Sequence, residues 1–304
     1  MKVVYCTQYG SPEVLQLREI PKPSPKANQI LVKLVATTVN SGDVRIRKFD
    51  VQGWMKLVMR LVLGVSKPRK PILGTVYSGV VEAVGNKVSK FKAGDKVFGM
   101  TGFNFGTNAE YIAVNQNSIV LELPINASFE EAAAIVFGGH TAIYFLEKAR
   151  IREASGKKVM IIGATGAVGT AAIQLANYYK ADITTVCSSM GKQLVEDLGV
   201  KKTIYYDKED FSKRADKYDI IFDAFGATTK KQCENLLQKN GIYKNVNSFA
   251  SESIHQLQLL KELFEKGAIK AVIDRSFQLD QIKEAHAYVE SGRKKGNVIL
   301  KISM

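Results

Sequence analysis

The stretch that decides the fold is VMIIGATGAVGTAAIQL, residues 159–175. Val159, Met160, Ile161 and Ile162 form a short apolar run that reads as a buried strand. The loop Gly163-Ala164-Thr165-Gly166-Ala167-Val168-Gly169 follows, and an Ala-rich helix then runs to about Tyr179. A glycine loop between strand and helix suits a pyrophosphate. Glycine lets the backbone approach closely, helix and strand can pack, and the helix start offers free N–H groups to the anion. The spacing is Gly-x-x-Gly-x-x-Gly rather than Gly-x-Gly-x-x-Gly, so a tight turn with no ligand is the alternative. The strand–loop–helix context favours a dinucleotide.

Reading outward, apolar runs at 183–186, 203–205, 220–223 and 242–246 alternate with helical text. That alternation makes a parallel, doubly wound α/β sheet with helices on both faces. Residues 1–122 differ. Short β-rich runs (30–39, 79–84, 96–98) are separated by turn residues, and Pro21, Pro23 and Pro25 mark an extended connector. This reads as a barrel or sandwich-like β domain. At Ser128-Phe129-Glu130-Glu131 a capping box opens a helix. From about Ala271 the text returns to strands around a helix at 279–290, ending at 297–302. The expected domains are thus 1–122 completed by 271–304, and 123–270.

The residue about twenty positions past the loop selects the dinucleotide, since an acid there binds the 2′-hydroxyl of NAD. The second strand ends Val186-Cys187-Ser188-Ser189 without an acid, and Lys192 follows. Hydroxyls and a cation suit a 2′-phosphate, which favours NADPH; an ordinary solvated helix lysine is the alternative for Lys192. Tyr144 and Lys148 have the Tyr-x-x-x-Lys spacing of short-chain dehydrogenases, but they precede the loop and read as a helix face.

The 304 residues are 46% hydrophobic and 24% charged, enough for a sizeable core. The net charge is +14, with 19 basic against 11 acidic side chains in residues 1–150, so the excess is spread along the chain. Steering of anions fits that spread better than a dedicated nucleic-acid face. Cys6, Cys187 and Cys233 make neither a disulfide framework nor a zinc knuckle. The first ten residues read as a strand and no apolar run approaches the ~20 residues of a membrane span. A cytoplasmic location is expected.

Several segments, in order, resemble the medium-chain dehydrogenase/reductase superfamily, specifically its zinc-independent quinone oxidoreductase-like branch. They are Val39-Asn40-Ser41-Gly42-Asp43, the segments 79–85 and 94–99, Ala109-Glu110-Tyr111, Gly139-His140-Thr141-Ala142, the glycine loop and Gly296-Asn297-Val298. The resemblance spans essentially the whole chain. It implies a Rossmann-type domain beside a GroES-like β-barrel catalytic domain. The positions matching the family's catalytic zinc ligands are Asn40, Thr75 and Phe137, which carry no Cys or His. No metal is therefore expected, and His140, His255 and His286 are too scattered to replace one.

The resemblance further implies hydride delivery from NADPH to a quinone or an activated carbon–carbon double bond. Asn40 and Thr141 would lie near the nicotinamide, and Gly163, Gly166, Ala167 and Val168 at the pyrophosphate. Ser188, Ser189, Lys192 and Tyr206 would meet the 2′-phosphoribose, with Phe225 and Asn297 as further cofactor candidates. Each also has a plainer reading: Asn40 as a cap, Thr141 bonding back into its helix, Tyr206 closing a strand. Where relatives carry an acid, this chain has Val76. Tyr77 is then the candidate proton donor beside Asn40, with burial of its ring as the alternative; Arg45 and water are the other sources considered. Residues 49–65, including Trp54, Met55, Leu57, Met59 and Leu61, read either as an apolar cover over the substrate or as a helix packed on the barrel. A membrane-surface helix is a third reading.

The expected function is an NADPH-dependent reductase of a small apolar quinone, enone or alkenal. The alternatives are a catalytically weak NADPH-binding protein with an RNA-binding or regulatory role, and a zinc-type alcohol dehydrogenase. After 242–246 the chain passes almost directly into a helix at 255–266, where relatives have one more strand. The sheet is therefore expected to have five strands and lack the sixth, which puts the family's usual sheet-edge homodimer in doubt.

Overall fold

A computed structural model describes every residue except Gln52, Trp54, Phe249, Ser303 and Met304, and the side chain of Met55. The chain divides into two compact units, residues 1–136 with 273–304, and residues 137–272.

In the first unit, β1 (Lys2–Cys6) and β2 (Leu15–Glu19) form an antiparallel ribbon. Then come β3 (Gln29–Val39), α1 (Ser41–Lys48), α2 (Met55–Leu63), β4 (Val76–Val84), β5 (Lys96–Met100), β6 (Tyr111–Asn115), β7 (Ile119–Glu122) and α3 (Phe129–Lys148). The unit boundary falls inside α3. Ser128 and Glu131 form the reciprocal bonds of the capping box at its start.

In the second unit, β8 (Lys158–Ile162) leads through the glycine loop into α4 (Ala167–Tyr178). There follow β9 (Asp182–Cys187), α5 (Lys192–Asp197), β10 (Lys202–Tyr205), β11 (Tyr218–Asp223), β12 (Leu237–Asn245) and α6 (Ile254–Glu265). Five parallel strands lie in the order β10-β9-β8-β11-β12. This is the Rossmann order without its sixth strand. Residues 159–162 of β8 are buried, as a central strand covered on both faces requires.

One expectation fails. The text between β10 and β11, and between β11 and β12, forms no α-helix, only the single 3-10 turns Phe211–Lys213 and Glu234–Leu236. Local side-chain bonds compete with helix there. Asp210 accepts from the Ser212 N–H. The Asp223 carboxylate accepts from the N–H groups of Phe225, Gly226 and Thr228 and from the Thr228 hydroxyl.

The chain then returns to the first unit with β13 (Ile273–Gln278), α7 (Ile282–Glu290) and β14 (Asn297–Lys301). The sheet order is β13-β14-β3-β4-β5-β7, with β6 also pairing β3. A core of Ile30, Val32, Leu34, Tyr77, Val81, Val97, Val114 and Val120 fills it. Beside α1, one face of α2 packs inward: Met59 and Leu63 join Phe49 and Phe105. Leu57, Leu61 and Val62 on its other face are exposed. The helix-on-barrel reading of 49–65 thus accounts for the inner face; Trp54 and the Met55 side chain lie outside the described residues. Among the described residues no helix is long and apolar enough to cross a membrane.

Candidate functional site

The glycine loop is built by close backbone approach. Gly163 has φ +74°, and a Cβ there would come within 2.7 Å of the Phe225 Cβ. At Gly169 a Cβ would meet the Gly163 carbonyl oxygen at 2.2 Å, so only hydrogen lets α4 start this near the loop. Gly166 differs. The nearest atom to a Cβ there is 3.7 Å away, which leaves open ground above the helix start. Gly166 is also the N-cap of α4 and supplies no capping side chain. The first-turn N–H groups have no carbonyl of their own helix to bond. An anion fits that cradle. Ala167 and Val168 form the first turn and are otherwise buried.

The segment after β9 lies against this loop. A Cβ on Gly191 would stand 2.4 Å from the Thr165 Cγ2. Ser188 and Ser189 are half-buried at the start of a 3-10 turn, and Lys192 opens α5. The Lys192 ammonium is exposed, with Glu196 3.9 Å away. Tyr206 is exposed, and its N–H donates to the Cys187 carbonyl (3.1 Å), which fixes the end of β10 beside the end of β9. That register brings in a residue the sequence reading passed over. The Asp207 carboxylate accepts from the Ser189 N–H (2.8 Å) and from the Ser189 hydroxyl (2.5 Å). Those bonds from Ser189 hold the Asp207 carboxyl below its usual range.

Phe225, exposed beside Gly163, stands on the loop that Asp223 ties down. Tyr243 Oη of β12 bonds the Thr228 carbonyl (2.6 Å), and Asn247 Nδ2, two residues past β12, bonds the Gly226 carbonyl (3.0 Å), so the loop is held from that side as well. Thr141 bonds back to the Phe137 carbonyl (2.9 Å), the plainer of its two readings. Next to it, buried His140 pairs through Nδ1 with the Gln256 side chain (3.1 Å), and burial pushes its pKa down to about 4.

In the first unit, Asn40 is the N-cap of α1 in a capping box with Asp43. Its Oδ1 accepts from the Asp43 N–H (3.1 Å), and its Nδ2 reaches the Thr75 hydroxyl (3.4 Å). Asn40 is therefore both a cap and a member of a buried polar cluster. At Gly74 (φ +86°), the residue before Thr75, the Thr107 hydroxyl and the Asn108 side chain crowd the space a Cβ would fill. The Thr107 hydroxyl bonds that of Thr37 (3.0 Å). The Asn108 amide atoms and the Thr38 hydroxyl are buried with no partner among the described residues. Burial pushes the Asp43 carboxyl up to about 7 against the pull of the Asn40 N–H. Thr107 and Asn108 were within reach of sequence reasoning, since they directly precede the Ala109-Glu110-Tyr111 motif.

Tyr77 requires a correction. Its ring is fully buried in the barrel core, its hydroxyl lies against Gly99 with no hydrogen-bond partner among the described residues, and burial raises its pKa well above the ordinary phenol value. A phenol so enclosed packs; it does not hand a proton to a substrate. Asn297 is buried at the start of β14, beside Ile273 of β13. Among the described residues no group of three or more His, Cys, Asp or Glu is placed to hold a metal ion.

Family models match along the chain. An alcohol dehydrogenase GroES-like domain covers residues 26–125, a semialdehyde dehydrogenase NAD-binding domain 158–253, and a zinc-binding dehydrogenase model 243–300. A 2-methylene-furan-3-one reductase of Solanum lycopersicum is 33% identical, over 99% of this chain and 79% of its own. An NADPH-dependent alkenal/one oxidoreductase of Arabidopsis thaliana, chloroplastic, is 29% identical over the same shares. The solved quinone oxidoreductase from Coxiella burnetii superposes with a TM-score of 0.88 at 27% identity, covering 100% of this chain and 99% of that one. With a 33% identical relative matched over 99% of this chain and 79% of the relative, and with this sheet order, the chain belongs to the medium-chain dehydrogenase/reductase superfamily, in its quinone oxidoreductase-like branch.

Proposed function

We propose that this chain is an NADPH-dependent oxidoreductase that reduces a quinone or the activated double bond of an enone or alkenal, without zinc. The observation that carries the reading is the glycine-loop cradle: a backbone with no room for side chains at Gly163 and Gly169, open ground over Gly166 and an uncapped helix start. It fits a pyrophosphate. The substrate classes come from the relatives, named as reductases of a methylene-furanone, of alkenals and enones, and of quinones.

When bound, NADPH supplies the hydride, and the protein supplies position and environment. Gly163, Gly166, Ala167 and Val168 hold the pyrophosphate. Ser188, Ser189, Lys192 and Tyr206 form the 2′-phosphoribose end, Asn40 and Thr141 are the candidates for the nicotinamide end, and Phe225 and Asn297 are further cofactor candidates. The Asn40–Thr75 pair offers hydroxyl and amide donors to a substrate oxygen. With Tyr77 enclosed and Asp43 tied into the cap of α1, water delivers the proton. The positions aligned with the family's zinc ligands are Asn40, Thr75 and Phe137, a donor set without imidazole or thiolate. Cys6, Cys187 and Cys233 are buried and none is in a disulfide among the described residues, in keeping with the cytoplasmic location that belongs to this reading.

The test is NADPH oxidation, followed by absorbance, against a panel of quinones, enones and alkenals, with NADPH affinity measured in parallel. Turnover of at least one class is expected, with an NADPH Kd several-fold weaker in Lys192→Ala. Tight NADPH binding without turnover of any class would sink the enzyme reading and leave a binding protein.

A further inference from the structure

An acid is absent from the end of β9, where it would select NAD, yet a carboxylate stands there all the same. β10 pairs with β9 in parallel, with Tyr205 opposite Cys187. The next residues of both strands are thereby side by side, which sets Asp207 against Ser189. Both Asp207 oxygens are engaged, one by the Ser189 N–H and the other by its hydroxyl. These are the donors that the 2′-phosphate end of the proposed site relies on.

Resting on the cofactor site of the preceding section, we propose that Asp207 is a specificity-determining residue that holds down the preference for NADPH over NADH. A 2′-phosphate reaching Ser189 must displace the carboxylate from both donors and then lie beside its negative charge. A ribose 2′-hydroxyl needs neither, because it can donate a hydrogen bond to the carboxylate where it stands. Lys192 is the cation of the proposed 2′ end, and its ammonium already has Glu196 3.9 Å away. The chain consequently accepts both dinucleotides, and Asp207 sets the ratio.

The experiment measures binding calorimetrically on the full chain for NADPH, NADH, 2′,5′-ADP and 5′-AMP, each with Asp207→Asn, Asp207→Ser and Asp210→Asn. The adenosine fragments read the 2′ position without any turnover. Both Asp207 variants are expected to bind NADPH and 2′,5′-ADP at least tenfold tighter, with NADH and 5′-AMP changed less than twofold. Asp210, whose carboxylate serves its own turn at Ser212, removes the same charge three residues away and should leave the ratio unchanged. An unchanged NADPH-to-NADH ratio in both Asp207 variants overturns the proposal while leaving the cofactor site intact. An equal shift in Asp210→Asn also overturns it, by reducing the effect to net charge. Failure of the unsubstituted chain to bind any of the four overturns the cofactor reading and this proposal together.

Discussion

Histidine 286 and histidine 140 lie in the interior, one in each unit, and both are held neutral by burial. For His286 desolvation comes first and the neighbouring Arg47 charge second, pushing it down to about 3; neither ring nitrogen has a hydrogen-bond partner among the described residues. In the unfolded chain these residues titrate near 6.5. Above that pH neither state binds the proton. Below it the unfolded state takes one that the folded state refuses, so each histidine subtracts roughly 1.4 kcal/mol of stability per pH unit down to its folded value. Asp43 acts in the opposite direction. Its carboxyl, raised to about 7, gains a proton in the folded state before it does in the unfolded one. A comparison with a variant isolates the histidine: between pH 7.5 and 5.0, His286→Leu should lose on the order of 2 kcal/mol less stability than the parent chain in urea unfolding. An identical pH dependence in the two chains would falsify the neutral burial of His286. At this scale the sequence told residue types and not surroundings. Asn40 was recognisable because it stands in the consecutive segment Val39-Asn40-Ser41-Gly42-Asp43 that resembles the family's pattern. Tyr77 was not, because alternation in β4 allows either face and only the closed sheet chooses. Asp207 stands 18 residues from its partner Ser189, and nothing local announces the register that joins them.

Among the elements, the loop after β11 carries the most concentrated bonding. One buried carboxylate, Asp223, serves three backbone N–H groups and a hydroxyl, and the loop it shapes presents Phe225 next to Gly163. Asp223→Ala leaves those donors without an acceptor, and each buried donor so stranded costs about 1–3 kcal/mol. Thermal unfolding should show a loss of at least ~3 kcal/mol, with a smaller loss in Asp223→Asn, which keeps one acceptor oxygen. A loss below ~1 kcal/mol in the alanine variant would mean the loop finds other partners. The same carboxylate explains why helical text between β11 and β12 misled: apolar periodicity is visible in sequence, whereas a competing side-chain acceptor is recognised only once the strand end is in place. The glycine loop was legible for the converse reason. Everything that shapes it, from strand to helix start, lies within a dozen consecutive residues.

On the scale of the whole molecule, the sheet of the second unit ends at β12. Its outer edge is blunted by Lys239 and Lys244, by Asn240 in the left-handed region (φ +67°) and by a register shift against β11. Charge and irregularity of this kind oppose edge-to-edge pairing. Light scattering after size exclusion should therefore give a monomer of 33.5 kDa at micromolar concentration. A stable dimer would show that another surface has replaced the missing strand. The first unit has a different peculiarity: it is made from both ends of the chain, with β14 pairing β3. On the ribosome this reverses the expected order. The second unit, an uninterrupted segment, can fold while synthesis continues, but β3 must wait some 260 residues for its neighbour. The half of the protein that is made first is finished last, and until β14 emerges the flank of β3 that it will cover stays open to wrong pairings.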